Sequence, residues 1–165
     1  LLKGITELPA AMETVLDRRD IIGEAARQFA PSRRYWAMVG NGPNRIAAQE
    51  VRVKLSELCY KSIAADSTED KKHIDLSSEP LIFVCAAGLS GSTADDVAKE
   101  VAIFRAHKAA PIVVADEDQS RFSSALAVLP VQQLLHALER RGGGAPLRVA
   151  LLLLRSQLCR TALHK

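Results

Sequence analysis

The 165 residues predict a three-layer αβα sandwich, a central and mostly parallel sheet with helices on both faces. Three observations carry this expectation. The unbroken apolar runs "YWAMVG", "LIFVCAA" and "PIVVA" read as strands buried on both faces, because a half-solvated strand would alternate. Longer segments with apolar residues three and four apart lie between them and read as helices. The two kinds of segment alternate along the chain, as βαβ units do.

Leu8 to Phe29 reads as one amphipathic helix, with Met12, Val15, Leu16, Ile22, Ala26 and Phe29 on its apolar side. Pro9 fits its first turn, where the missing N–H costs nothing, and Pro31 closes it. "YWAMVG" then forms a strand that stops at the turn "GNGPN". Pro43 opens a second helix, Asn44 to Cys59, and "KSIAAD" forms a short strand. "STEDKKHIDLSS" is polar throughout and reads as a loop. "LIFVCAA" is the clearest buried strand, "GLSGST" its closing turn, and "ADDVAKEVAIFRAHKA" the next helix. Pro111 starts the strand "PIVVA". "RFSSALAV" reads as a short link, with no strand in it, to a helix "LPVQQLLHALERR". After the break "GGGAP", the segment "LRVALLLLRSQLCRTALHK" reads as a final helix, or a strand running into one. The expectation is one domain over residues 1–165: a leading helix in 1–30, a core in 31–140 and a C-terminal extension in 141–165.

Composition narrows the function. A net charge of +3 without a long Lys/Arg run, and 4% aromatic residues, argue against a nucleic-acid partner. "VALLLL" is far shorter than the roughly 20 residues that span a bilayer, so no membrane partner is expected. Cys59, Cys85 and Cys159 form no Cys-x-x-Cys pair, and His73 stands in ligand spacing with none of them. Reduced thiols, no metal and a cytoplasmic location are expected, with Cys85 a core residue. The chain starts "LLKG" without an initiator methionine, which fits a piece of a longer protein or a start that lies upstream.

Ligands of parallel α/β sheets bind at the carboxyl ends of the strands. Gly40, Asn41 and Gly42 follow the first strand, and Ser90, Ser92 and Thr93 follow the third. Both turns are candidate phosphate sites, built from backbone N–H groups and hydroxyls. "GNGPN" lacks the third glycine of a dinucleotide loop, and no Gly-Lys-Ser/Thr exists, so no nucleotide cofactor is expected. "SGST" also reads as an ordinary helix-starting turn, and Asp95 and Asp96 behind it would repel a close phosphate.

Glu50, Lys54 and Glu57 share one stripe of the second helix. Glu50 and Lys54 suit a surface pair worth tenths of a kcal/mol, about 0.2–0.5. They also border the apolar stripe of Val51, Leu55 and Leu58, where a half-buried carboxylate suits a proton shuttle. His73, in the charged loop, is either an acid–base group or an exposed side chain.

The segment "VGNGPNRIAAQEVRVKLSELCYKSIAAD" resembles the sugar isomerase (SIS) domains, and more closely the second SIS lobe of the glutamine–fructose-6-phosphate aminotransferases. Glu50, Lys54, Glu57 and Tyr60 match the family's E-x-x-x-K-x-x-E-x-x-Y helix, and Lys72-His73 its Lys-His pair. "PIVVAD" and "LPVQQLLHALE" resemble later segments, so the likeness covers about residues 5–140. It implies a flavodoxin-like sheet and a phosphorylated sugar ligand such as fructose 6-phosphate or glucosamine 6-phosphate. It implies aldose–ketose isomerisation, with Glu57 moving the proton between C1 and C2, Lys54 polarising sugar oxygens, His73 aiding ring opening in a neighbouring subunit's site, and Glu50 in support. A second SIS lobe or a homodimer partner is implied too. The alternative is a non-catalytic module that binds a phosphosugar or mediates assembly in a larger protein, since a single lobe is present and no glutaminase domain is.

Overall fold

Five short strands lie side by side in the computed structural model, all parallel, in the order β2-β1-β3-β4-β5. The structure describes residues 6, 9, 10, 13, 16–115 and 119–130. Their elements are α1 (Arg19–Phe29), β1 (Trp36–Gly40), α2 (Pro43–Cys59), β2 (Ala64–Asp66), α3 (Thr68–His73), β3 (Leu81–Cys85), α4 (Gly91–Ala106), β4 (Ala110–Ala115) and β5 (Ala127–Pro130). Two 3₁₀ turns, Leu76–Ser78 and Gln119–Phe122, complete them. The expected sandwich is present, and its strand order is the flavodoxin-like one.

The continuous apolar strands have the predicted cause, because each face of the sheet carries its own core. Met38, Phe83, Ile112 and Val114 pack with Ile22 and Ala26 of α1 and Ala48, Val51 and Leu55 of α2. Val39, Ile82, Val84 and Val113 pack on the other face with Val97, Val101 and Phe104 of α4. Cys85 lies in the first core, where burial pushes its thiol up to about 12. Cys59 is half-buried.

Four expectations need correction. The leading segment is not one helix: Asp17 and Arg18 form a turn, and α1 starts at Arg19. The charged run "DRRD" has no apolar side to bury there. The polar loop contains a helix, α3, capped by the Ser67 hydroxyl, which accepts from the Asp70 N–H at 3.0 Å. Its acidic residues sit in the first turn and its basic residues in the last, matching the helix dipole. The link after β4 holds a strand after all, β5, paired to β4 from Ile112↔Ala127 to Ala115↔Pro130. Leu129 and Pro130 therefore belong to this edge strand, where a proline is tolerated, and not to a helix. Finally, α4 begins at Gly91, three residues before Ala94, and takes Ser92 and Thr93 into its first turn. The rest of the expected helix to Arg141 and the extension 141–165 lie outside the described residues.

Candidate functional site

The loops at the carboxyl edge of the sheet are tied to one another by side chains. Asn41, just after β1, donates from Nδ2 to Thr68 Oγ1 at 2.7 Å and accepts the Thr68 N–H at 3.2 Å. Asn44, only 5% exposed, donates to the Ala87 carbonyl at 3.0 Å. That bond spans β1 and β3, the point where the strand order reverses and a crevice would open.

The turn Gly40–Gly42 is shaped by backbone needs. A Cβ on Gly40 would run into the Asn44 carbonyl of α2. Gly42 holds φ +54, ψ −130 with open space above it, a backbone conformation that suits glycine. Pro43 has no N–H, while the Asn44 and Arg45 N–H groups donate to Asn41 and Gly42 carbonyls at 3.1 and 3.0 Å. This helix start therefore has few donors left for an anion, and the Asn41 amide is committed to Thr68.

The start of α4 is different. Its N-cap Ser90 is extended (φ −143, ψ 165), and the Ser90 side chain caps no N–H. The first-turn N–H groups of Gly91, Ser92 and Thr93 have no carbonyl one turn earlier in the helix. Ser90, Ser92 and Thr93 are exposed. Beside them, at the carboxyl ends of β3 and β4, lies a cavity of about 190 Å³ lined by Ala86, Leu89, Ser90, Ala94, Ala115, Arg121 and Phe122. It is smaller than the ~300–1,000 Å³ of a site that encloses a whole small ligand. It suits one end of a ligand whose remainder projects outward.

Sequence reasoning missed Arg121, which stands in the turn read as a plain link. Its Nη1 donates to the Gly91 carbonyl at 3.2 Å and lies 3.5 Å from Asp95 Oδ1. Asp96, the other carboxylate expected to repel an anion, pairs with Lys99 at 3.1 Å.

The predicted acid–base residues lie elsewhere. Lys54 pairs with Glu57 at 3.2 Å, and not with Glu50. Lys54 is 32% exposed and Glu57 57%, so Glu57 is not the half-buried carboxylate expected. At about 1.5 Å per residue the 17-residue α2 is about 25 Å long, and Glu57 sits in its last turn. The pair is therefore about 20 Å along the helix from the ligand edge. Since α2 and α4 cover opposite faces, one copy does not bring Glu57 to Ser90. Glu50 is half-buried and lines an open depression of about 640 Å³ with Ile46, Val53 and the edge strand β2.

His73 is the last residue of α3, 68% exposed, with Nε2 at 3.4 Å from Glu69 Oε1. Next to it Lys72 bridges two carboxylates, Glu69 at 2.7 Å and Glu100 of α4 at 3.1 Å. Burial pushes the Glu100 carboxyl above its ordinary value, against the pull of Lys72. Its Oε2 is buried without a hydrogen-bond partner. Hydrogen bonds to Glu69 and Glu100 raise Lys72, and the bond to Lys72 lowers Glu69. Among the described residues no group of His, Cys, Asp and Glu could hold a metal ion, and no helix is long and apolar enough to cross a membrane.

No family model and no curated protein matches the sequence. Solved structures match the fold. The C-terminal domain of glucosamine-fructose-6-phosphate aminotransferase from Francisella tularensis has a TM-score of 0.72 at 17% identity, covering 95% of this chain and 43% of that one. Tagatose-6-phosphate ketose/aldose isomerase from Escherichia coli gives 0.70 at 18%, covering 96% and 43%. The sugar isomerase domain of the RpiR transcription factor from Sphaerobacter thermophilus gives 0.70 at 15%, covering 99% and 93%. The chain thus spans less than half the length of the first two and nearly all of the third.

Proposed function

Because the chain folds as a sugar isomerase domain does, we propose that it binds a phosphorylated sugar such as fructose 6-phosphate or glucosamine 6-phosphate. The phosphate sits on the first turn of α4, held by the N–H groups of Gly91, Ser92 and Thr93 and the hydroxyls of Ser90, Ser92 and Thr93. The carrying observation is the uncapped start of α4 beside a 190 Å³ cavity at the ends of β3 and β4. A helix N-terminus attracts an anion through its free donors and its dipole together. The sugar ring projects beyond the small cavity. The turn Gly40–Gly42 serves as framework in this reading. Titration calorimetry with fructose 6-phosphate and with fructose tests it. Binding of the phosphate ester alone supports the proposal; equal binding of both, or of neither, overturns it.

A second reading adds isomerisation. The Lys54–Glu57 pair is exposed and laid open at the far end of α2, where a second lobe or a second copy of this chain would bring its own phosphate turn. Glu57 then moves the proton between C1 and C2, Lys54 polarises the sugar oxygens, His73 assists ring opening, and Glu50 supports them. Two neighbours, the aminotransferase C-terminal domain and the ketose/aldose isomerase, are each more than twice this chain's length, which suits a site completed by another lobe. Aldose–ketose exchange that Glu57→Gln abolishes supports this reading. Phosphosugar binding without exchange leaves the non-catalytic module.

A further inference from the structure

We propose that Glu69, Lys72 and Glu100 form a proton-operated latch, which holds α3 on α4 while Glu100 carries a proton and loosens it when Glu100 ionises. The latch is independent of the phosphate reading above. Three observations support it.

The first is the weakness of α3 itself. It has six residues, too few for a helix to hold its shape in water without packing. Its start is tied down by the Asn41–Thr68 pair, with Thr68 and Lys71 buried. Farther along, Lys72 donates to Glu100 of α4 at 3.1 Å. The order of the last turn, which ends in His73, therefore leans on that junction.

The second is the cluster. Lys72 sits between two carboxylates, 2.7 Å from Glu69 and 3.1 Å from Glu100. Two carboxylates on one ammonium leave an excess negative charge. Glu100 is buried and its Oε2 has no hydrogen-bond partner, so ionised Glu100 holds a charged oxygen away from water. A proton on Glu100 removes that cost and gives the carboxyl a hydrogen bond to donate to Glu69. Burial accordingly pushes the Glu100 carboxyl upward, against the attraction of Lys72. When α3 lifts away, water reaches Glu100 and hydrates its charge, so rising pH favours the open form.

The third is that the surrounding charges are engaged elsewhere. On α4, Asp96 lies one turn before Glu100 and pairs with Lys99 at 3.1 Å. β4 brings no charged side chain to α4, and Arg121 of the adjoining 3₁₀ turn bonds Gly91 at the other end of the helix. On α3, Asp70 faces Arg45 at 3.7 Å, and His73 lies 3.4 Å from Glu69. Asp75, just beyond α3, accepts the Ser77 hydroxyl at 3.5 Å. Glu69 and Lys72 are thus the charges that act on Glu100 directly.

Amide hydrogen exchange of the whole chain tests the latch, read residue by residue from the ordinary carboxylate value of 4.5 to about pH 7.5 and corrected for intrinsic rates. The amides of Lys71 and Ile74, which bond the Ser67 and Lys71 carbonyls, report on α3. Those of Phe83 and Val84 in β3 report on the core. Protection of the α3 amides is expected to fall at least about threefold as pH rises, and to stay below that of β3 throughout. Glu100→Gln keeps the shape without the ionisation and is expected to hold α3 protection constant over this range. His73→Gln is expected to leave the wild-type dependence in place, and a dependence lost with His73 overturns the latch. Unfolding midpoints show that each variant is folded, and the wild-type comparison stands without them. Flat α3 protection in the wild type, or an equal fall in Glu100→Gln, overturns the proposal. So does equal protection of α3 and β3 at every pH, because α3 then opens only with the whole chain.

Discussion

Asn41 grips Thr68 at two points, its Nδ2 donating to Oγ1 at 2.7 Å and its Oδ1 accepting the backbone N–H at 3.2 Å. One side chain thereby locks the loop after β1 to the start of α3. Thr68 is only 2% exposed, so water does not replace the lost partner. Asn41→Ala is expected to cost about 1–3 kcal/mol of stability, the range for a polar group left buried and unpaired. Urea unfolding measures it, and a cost near zero contradicts the clamp.

The two glycines of the same turn are expected to fail for different reasons. Gly40→Ala drives a Cβ into the Asn44 carbonyl and displaces α2, at about 1–3 kcal/mol. Gly42→Ala meets no atom but is held at φ +54, ψ −130, at about 1–3 kcal/mol of backbone strain. Both folded variants should bind fructose 6-phosphate as the wild type does. A large loss of affinity with stability intact would return this turn to the ligand site.

The buried carboxylate of Glu100 gives a pH signature. Its folded pKa lies above the ordinary 4.5, chiefly through burial, so the folded state holds that proton more tightly than the unfolded chain does. Its contribution to stability is therefore full below pH 4.5 and is lost as pH rises through the folded value. Of the groups facing it from α3, Glu69 acts the other way. Glu69, lowered by Lys72, stabilises above the ordinary carboxylate value, and Lys72, raised, stabilises until strongly alkaline pH. Glu100→Gln removes the first effect together with the share of the Glu69 and Lys72 shifts that Glu100 itself supplies. Its stability relative to wild type is expected to rise from pH 4.5 to 7, read from urea unfolding at each pH. A difference that stays flat or falls contradicts the assignment.

How much of this was legible in the residues depends on length and on pattern. β3 and β4 were plain, since "LIFVC" and "PIVVA" are unbroken apolar runs. β5 was hidden because "AVLP" is four residues long and runs straight into apolar positions that extend a helical pattern. α3 was hidden because "TEDKKH" has no apolar period, although Ser67 with Asp70 three residues on, acid first and base last, was a readable helix start. The Lys54–Glu57 pair was legible from spacing. Its distance from the ligand edge was also available, since a helix that starts at that edge carries its last turn away from it. Arg121 was not legible, because only the fold brings a turn 30 residues downstream back onto Gly91.

Glu57→Gln should leave stability within about 1 kcal/mol of wild type, because an exposed i,i+3 pair contributes little. Unfolding midpoints check this. A larger loss would make the pair structural and weaken its candidacy for proton transfer.

The central claim is that the phosphate of a sugar rests on the start of α4. Amide chemical-shift mapping tests it most directly, with fructose 6-phosphate added to isotope-labelled protein. The account predicts that the largest shifts fall on Gly91, Ser92 and Thr93, and that fructose leaves them in place. Shifts centred on Asn44 and Arg45 at the start of α2, or on the Ile46 and Val53 flank beside β2, would contradict it.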